Sequence, residues 1–221
     1  MNMSMCKVCF SEIKKYGLYA LRKDACICQK CFNELNPILN RYIIDGIEIF
    51  VIYRYDDALR NKLFELKGCY DIELSQIFLS RFIYELRLLY KGYTIVPLPS
   101  SKEDDEIRGF NHVYEIFKYL NLPIVNAIKK KYNFKQSELS KKERENILSK
   151  LEICDESELY GKKILIVDDV LTTGSSVKAA IKMIKNCHPK KIKVLILSRK
   201  IEIVKKKATF FTFKSFFKKR Y

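Results

Sequence analysis

The stretch from Ile164 to Ser176, ILIVDDVLTTGSS, constrains the fold more than any other part of the chain. Ile164 to Val167 are apolar and largely β-branched, a run suited to a strand buried on both faces of a parallel sheet. Asp168 and Asp169 then fall at its carboxyl end, the side on which an open α/β sheet places its ligand crevice. Leu171, Thr172, Thr173, Gly174, Ser175 and Ser176 follow as a turn into a helix. Gly174 accepts a positive φ and leaves room for a phosphate, the hydroxyls can donate, and the first N–H groups of the helix add positive dipole. The acids are expected to meet sugar hydroxyls or a metal, and the turn a phosphate.

A strand ending in Asp-Asp also occurs in receiver domains and as the Walker B strand of an ATPase. The Walker reading requires a G-x-x-x-x-G-K-[ST] loop upstream. The seven glycines form neither that loop nor a G-x-G-x-x-G turn.

Around this motif the pattern alternates. Ile43 to Tyr55 reads as one or two strands with a turn at Gly46. Asp56 to Lys67 reads as a helix with Ala58, Leu59, Leu63 and Leu66 on one face, stopped by Gly68. A second helix is expected from Ile72 to Tyr90, then a strand at Tyr93 to Pro97. The polar segment from Ser100 to Gly109 reads as a loop, and a helix follows from Phe110 or Asn111, with Asn111 able to cap it. Lys129 to Lys150 looks helical and exposed. Ser175 to Cys187 and Ile192 to Leu197 supply a last helix and strand. The fold class expected is α/β, with a mostly parallel sheet and a small N-terminal cysteine-rich domain. The blocks are residues 1–40, 41–200 and a tail at 201–221, with Pro37 a plausible boundary.

Five of the eight cysteines lie within the first 31 residues. Cys6-x-x-Cys9 and Cys28-x-x-Cys31 form two knuckle pairs with a spacing that suits a structural Zn²⁺ held by four thiolates. Cys26 is a fifth candidate that could replace Cys28. Cys69, Cys154 and Cys187 are isolated and read as small core residues. No run approaches a membrane span and the start lacks a signal-peptide pattern, so a cytoplasmic protein is expected.

The formal charge of +16 is unevenly spread: residues 182–221 hold 14 Lys or Arg against one acid, Glu202. Such a field suits a nucleic-acid backbone, or peripheral contact with an anionic membrane surface. The last segment, TFFTFKSFFKKRY, interleaves aromatics with cations. Lys214, Phe216, Phe217, Lys218, Lys219 and Arg220 are its candidate contacts to single-stranded DNA.

The thirteen-residue string resembles the phosphoribosyl pyrophosphate (PRPP) motif of type I phosphoribosyltransferases. The two cysteine pairs, VPLPSSKEDDEIRGFNH at Val96 to His112, the spacing of Gln136, Leu139, Arg144 and Asn146, and Leu66-Lys67 narrow the likeness to the ComF family, the phosphoribosyltransferase-like competence group. His112 stands where that family usually has Gln, and Ser176 where Thr is more common. The resemblance implies a type I phosphoribosyltransferase fold behind zinc knuckles, and PRPP bound with Mg²⁺. Lys67, Asp168, Asp169 and Leu171 to Ser176 would line that pocket. Asp168 and Asp169 would hold the ribose and Arg108 the pyrophosphate leaving group, as catalytic residues if any transfer occurs. His112 reads as a helix-start hydrogen-bond partner and is not assigned to catalysis. The resemblance further implies a role in DNA uptake during natural transformation, with competence or DNA-translocation proteins as partners. An active phosphoribosyltransferase of nucleotide metabolism, and a protein-docking zinc ribbon with a vestigial phosphate pocket, stay open as alternatives.

Overall fold

The computed structural model describes residues 4–14, 25–100, 102–130 and 151–200. In chain order it holds α1 (Gln29–Glu34), β1 (Pro37–Ile44), β2 (Ile47–Arg54), α2 (Asp57–Gly68), α3 (Ile83–Leu89), β3 (Tyr93–Pro97), α4 (Lys102–Arg108), α5 (His112–Phe117), β4 (Ile128–Lys130), β5 (Leu151–Ile153), β6 (Lys163–Leu171), α6 (Ser175–Asn186) and β7 (Lys191–Arg199). Five strands form one sheet in the order β1-β2-β7-β6-β3. The β1–β2 pair is an antiparallel hairpin, and the other three pairings are parallel. The sheet is thus mostly parallel, as the strand and helix alternation implies. A second, two-stranded sheet pairs β4 with β5.

Ile164, Leu165, Ile166 and Val167 are fully buried, because both faces of β6 are covered. Leu165 and Val167, with Phe50, Ile52, Leu195 and Leu197, pack beneath α2, α3 and α5. Ile164 and Ile166, with Ile49, Val51, Val194 and Ile196, pack beneath α6 and the small sheet. Among the described residues the cysteine-rich segment has no separate core: Cys6, Ile13, Cys26, Ile27, Cys31 and Leu35 join the first of these clusters.

The local chemistry explains several boundaries. The Asp56 carboxylate accepts the Leu59 N–H at 3.1 Å and starts α2. Gly68 is the last residue of α2 and makes room for a ring: a Cβ there would lie 2.8 Å from the Phe64 side chain. Ala58 is exposed, so the buried face of α2 is Leu59, Leu63 and Leu66 alone.

Four further expectations need correction. The helix expected over Ile72 to Tyr90 is a 3₁₀ segment, Ile72–Phe78, then α3. The Ser75 hydroxyl donates to the Ile72 carbonyl and the Ser80 hydroxyl to the Ile77 carbonyl, bonds that compete with regular helix. The segment from Ser100 to Gly109 contains α4. Acids in its first turn and Arg108 in its last complement the helix dipole, and Gly109 ends it at φ +80°. Lys129 and Lys130 belong to β4, while residues 131–150 lie outside the described residues. Of the isolated cysteines Cys187 is buried, whereas Cys69 and Cys154 are exposed and are not core residues.

Candidate functional site

The end of β6 gathers residues from four elements. Asp169 is buried, and its Oδ2 is paired with Lys67 Nζ from the last turn of α2 and lies 3.4 Å from His112 Nε2 at the start of α5. Its other oxygen accepts the Val170 N–H at 2.8 Å, and its carbonyl accepts the Ser198 hydroxyl at 2.9 Å. Asp168 is half-buried and accepts the Asp169 N–H at 2.9 Å.

Arg108 completes the cluster. Its side chain is 7% exposed, its Nε donates to the Lys67 carbonyl at 3.2 Å, and its Nη1 lies 3.3 Å from Asp105 Oδ1 and 2.6 Å from His112 Nδ1. A guanidinium only donates, so Nδ1 of His112 accepts, and the imidazole proton sits on Nε2, facing Asp169. Asn111 fixes the start of α5. Its Oδ1 accepts the Tyr114 N–H at 2.8 Å, and its Nδ2 donates to Ser100 Oγ at 2.9 Å and Asp105 Oδ2 at 2.7 Å. The expected cap at Asn111 is therefore present.

The electrostatics separate the two acids. Burial and the neighbouring Asp169 charge hold the Asp168 carboxyl well above the usual range. For Asp169 burial acts in the same direction. The His112 hydrogen bond and the Lys67 charge outweigh it, and leave this carboxyl well below the usual range. Burial, with the charges of Lys67 and Arg108, lowers the His112 pKa against the opposing pull of Asp169. The imidazole is neutral at pH 7.

Next to the acids, Gly174 takes φ +77° and leads into α6, which has no side-chain cap and no acid in its first turn. Thr172, Thr173 and Ser176 are exposed, and Thr173 Oγ1 lies 2.8 Å from Ser175 Oγ. Exposed hydroxyls thus stand beside two carboxylates at the start of a 12-residue helix, whose first-turn N–H groups have no intrahelical acceptor. The arrangement can receive a phosphate at the turn and hydroxyls or a hydrated divalent cation at the acids. Lys67, Asp168, Asp169 and Arg108 come together, as do Leu171 to Ser176. Gln136, Leu139, Arg144, Asn146 and the tail contacts from Lys214 to Arg220 lie outside the described residues. Sequence reading missed the position of His112 between Arg108 and Asp169. The signal available was the Arg-Gly-Phe-Asn-His run, which sets Arg108 and His112 four residues apart around a cap.

At the other end of the chain the sulfurs of Cys6, Cys9, Cys28 and Cys31 all lie within 4.8 Å of one another. Tetrahedral Zn²⁺ with bonds of about 2.3 Å requires sulfurs about 3.8 Å apart, and Cys9 and Cys28 are at 3.7 Å. The quartet fits a metal ion of that kind. Cys28 N–H points to Cys6 Sγ at 3.3 Å, whereas Cys26 is turned into the core, so Cys28 rather than Cys26 completes the set. Hydrogen bonds from Ser11 lower the Cys9 thiol to about 6, closer to the thiolate that a metal needs. Among the described residues no helix is long and apolar enough to cross a membrane.

Comparison with known proteins identifies the chain's relatives. Residues 106–217 match the phosphoribosyl transferase domain family. The competence protein ComFC of Bacillus subtilis is 32% identical over 210 residues, with 80% of this chain and 86% of that protein covered. ComFC of Streptococcus pneumoniae is 28% identical over 155 residues, covering 70% and 69% respectively. A hypoxanthine phosphoribosyltransferase from Trypanosoma cruzi superposes with a TM-score of 0.40 at 14% identity, over 63% of this chain and 75% of that one. With a phosphoribosyl transferase domain over half its length and a ComFC relative matched over most of both chains, the protein belongs to the ComF family.

Proposed function

We propose that the pocket at the end of β6 binds PRPP with Mg²⁺, and that the chain uses this in handling single-stranded DNA during natural transformation. The observation that carries the reading is the uncapped start of α6, entered through Gly174 and placed directly after two carboxylates. A phosphate monoester can take the N–H groups and hydroxyls of that turn in place of the long Ser175 N–H to Thr173 Oγ1 contact at 3.4 Å. Asp168 keeps oxygen free for ribose hydroxyls or Mg²⁺, and Lys67 stands beside Asp169 as a cation toward the diphosphate. Mg²⁺ would neutralise the diphosphate, and the hard oxygen donors of Asp168 and Asp169 suit it. Arg108 acts through His112 and the Lys67 carbonyl, to which it is already committed.

The DNA part rests on the charge of residues 182–221 and on the competence proteins among the relatives. A second reading, an active phosphoribosyltransferase, is favoured by the domain match, and pyrophosphate release against a panel of bases and amines would decide it.

Calorimetric titration of the full chain with Mg²⁺ and PRPP should give saturable binding, lost in Asp168→Ala/Asp169→Ala. Equal binding by the double variant would remove the pocket assignment. Gel shifts with single-stranded oligonucleotides at graded salt should weaken strongly when residues 201–221 are deleted. An unchanged affinity there would remove the tail from the account.

A further inference from the structure

The phosphate turn has no cation of its own. From Val170 to Val177 it offers hydroxyls, a glycine and apolar side chains, although a phosphate monoester carries nearly two negative charges at neutral pH. Lys67, Arg108 and His112 belong to α2, α4 and α5, and their cluster is centred on Asp169. On the other flank of β6 stands β7, and its last residue is Arg199.

Three observations bring Arg199 to the turn. Its Cα is in register with Leu171, the residue from which the turn departs. Its guanidinium carbon lies 4.4 Å from the centre of the Tyr42 ring on β1. Ile44, two residues beyond Tyr42 and so on the same strand face, brings its Cδ1 within 3.7 Å of the position a Cβ would take at Gly174. The strand face that backs the guanidinium also walls the turn.

Among the described residues the charge of Arg199 is not otherwise used. It is half-buried, and it pairs with no carboxylate among the described residues. Its in-register neighbour on β2 is Arg54, a like charge that costs stability unless an anion lies nearby. A guanidinium stacked on a ring keeps its N–H edge free for the two oxygens of a phosphate.

We propose that Arg199, seated over the Tyr42 ring, is the cation of the phosphate turn and grips the monoester seated at Thr172 to Ser176. This rests on the reading of that turn as the PRPP phosphate site and adds the residue that neutralises it. Ribose 5-phosphate, which carries only this phosphate, and inorganic pyrophosphate with Mg²⁺, which carries only the other end, separate the two flanks of the pocket.

In the full chain Arg199→Gln, which keeps a stem against Tyr42, should weaken ribose 5-phosphate about 10- to 100-fold. Pyrophosphate affinity should stay the same. Arg199→Lys should recover part of the loss, and Tyr42→Leu should lose part with the arginine still present. Unchanged ribose 5-phosphate affinity in a folded Arg199→Gln would overturn the inference while leaving the pocket. Equal weakening of both probes would overturn it too, since the arginine would then not be specific to the turn. A wild-type chain that binds neither PRPP nor ribose 5-phosphate would bring down the pocket reading, and this inference with it.

Discussion

Asp169 holds a lysine and an imidazole on one carboxylate oxygen, and that imidazole should make the site sensitive to pH. The folded His112 pKa lies below its ordinary 6.5. The stabilisation given by neutral His112 is therefore present above that value and lost as pH falls through the lower folded one. Protonation would place a hydrogen on Nδ1, against the Arg108 donor. Glutamine can accept from Arg108 and donate to Asp169 without titrating. His112→Gln should keep PRPP affinity at pH 7 and lose less thermal stability than wild type below about pH 6.5, read from melting temperature against pH. Parallel profiles for the two proteins would contradict the assigned tautomer. Asp168, held above the usual carboxylate range, should make Mg²⁺-dependent PRPP binding tighten as pH rises and it ionises, and Asp168→Asn should flatten that profile in the same titrations.

Elements differ in how far they could be read from sequence. β6 and its turn were legible because a continuous apolar run, adjacent acids and a glycine are local signals, and β3 was bounded correctly at Tyr93 and Pro97. The segment from Ser100 to Gly109 was not, since its polarity masks a helix supported by first-turn acids and the Asp105–Arg108 pair. The Lys67–Asp169 contact joins residues 102 positions apart. No periodicity encodes it; only the packing of α2 over the sheet does. Asn111 ties α4 to α5 through Ser100 and Asp105 as well as capping. Asn111→Ala should cost about 1–2 kcal/mol, measured by urea denaturation, and should weaken PRPP binding because it frees Arg108 and His112. Gly174→Ala should cost about 1 kcal/mol through its positive φ, with a larger relative loss in PRPP affinity than in stability.

At the scale of the whole molecule, the cysteine quartet and the sheet share one core. Phe32 of α1 meets the Phe82 ring edge-on, the Arg81 guanidinium lies over the Phe32 ring at 5.1 Å, and Lys7 pairs with Glu73 of the 3₁₀ segment. That segment packs between α2 and α5, the elements that carry Lys67 and His112. Metal loss should therefore be felt at the pocket. Cys28→Ser, or chelation of the full chain, should lower the melting temperature of a single transition instead of releasing an independent module. Two separate transitions would show that the quartet folds alone.

The central claim is that the turn after β6 is a phosphate site, and its backbone reports this directly. In hydrogen exchange of the full chain with and without Mg²⁺ and PRPP, the amides of residues 173–177 should gain protection on ligand addition. Asp168→Ala/Asp169→Ala should abolish the gain. Unchanged exchange at those amides under saturating ligand would contradict the account.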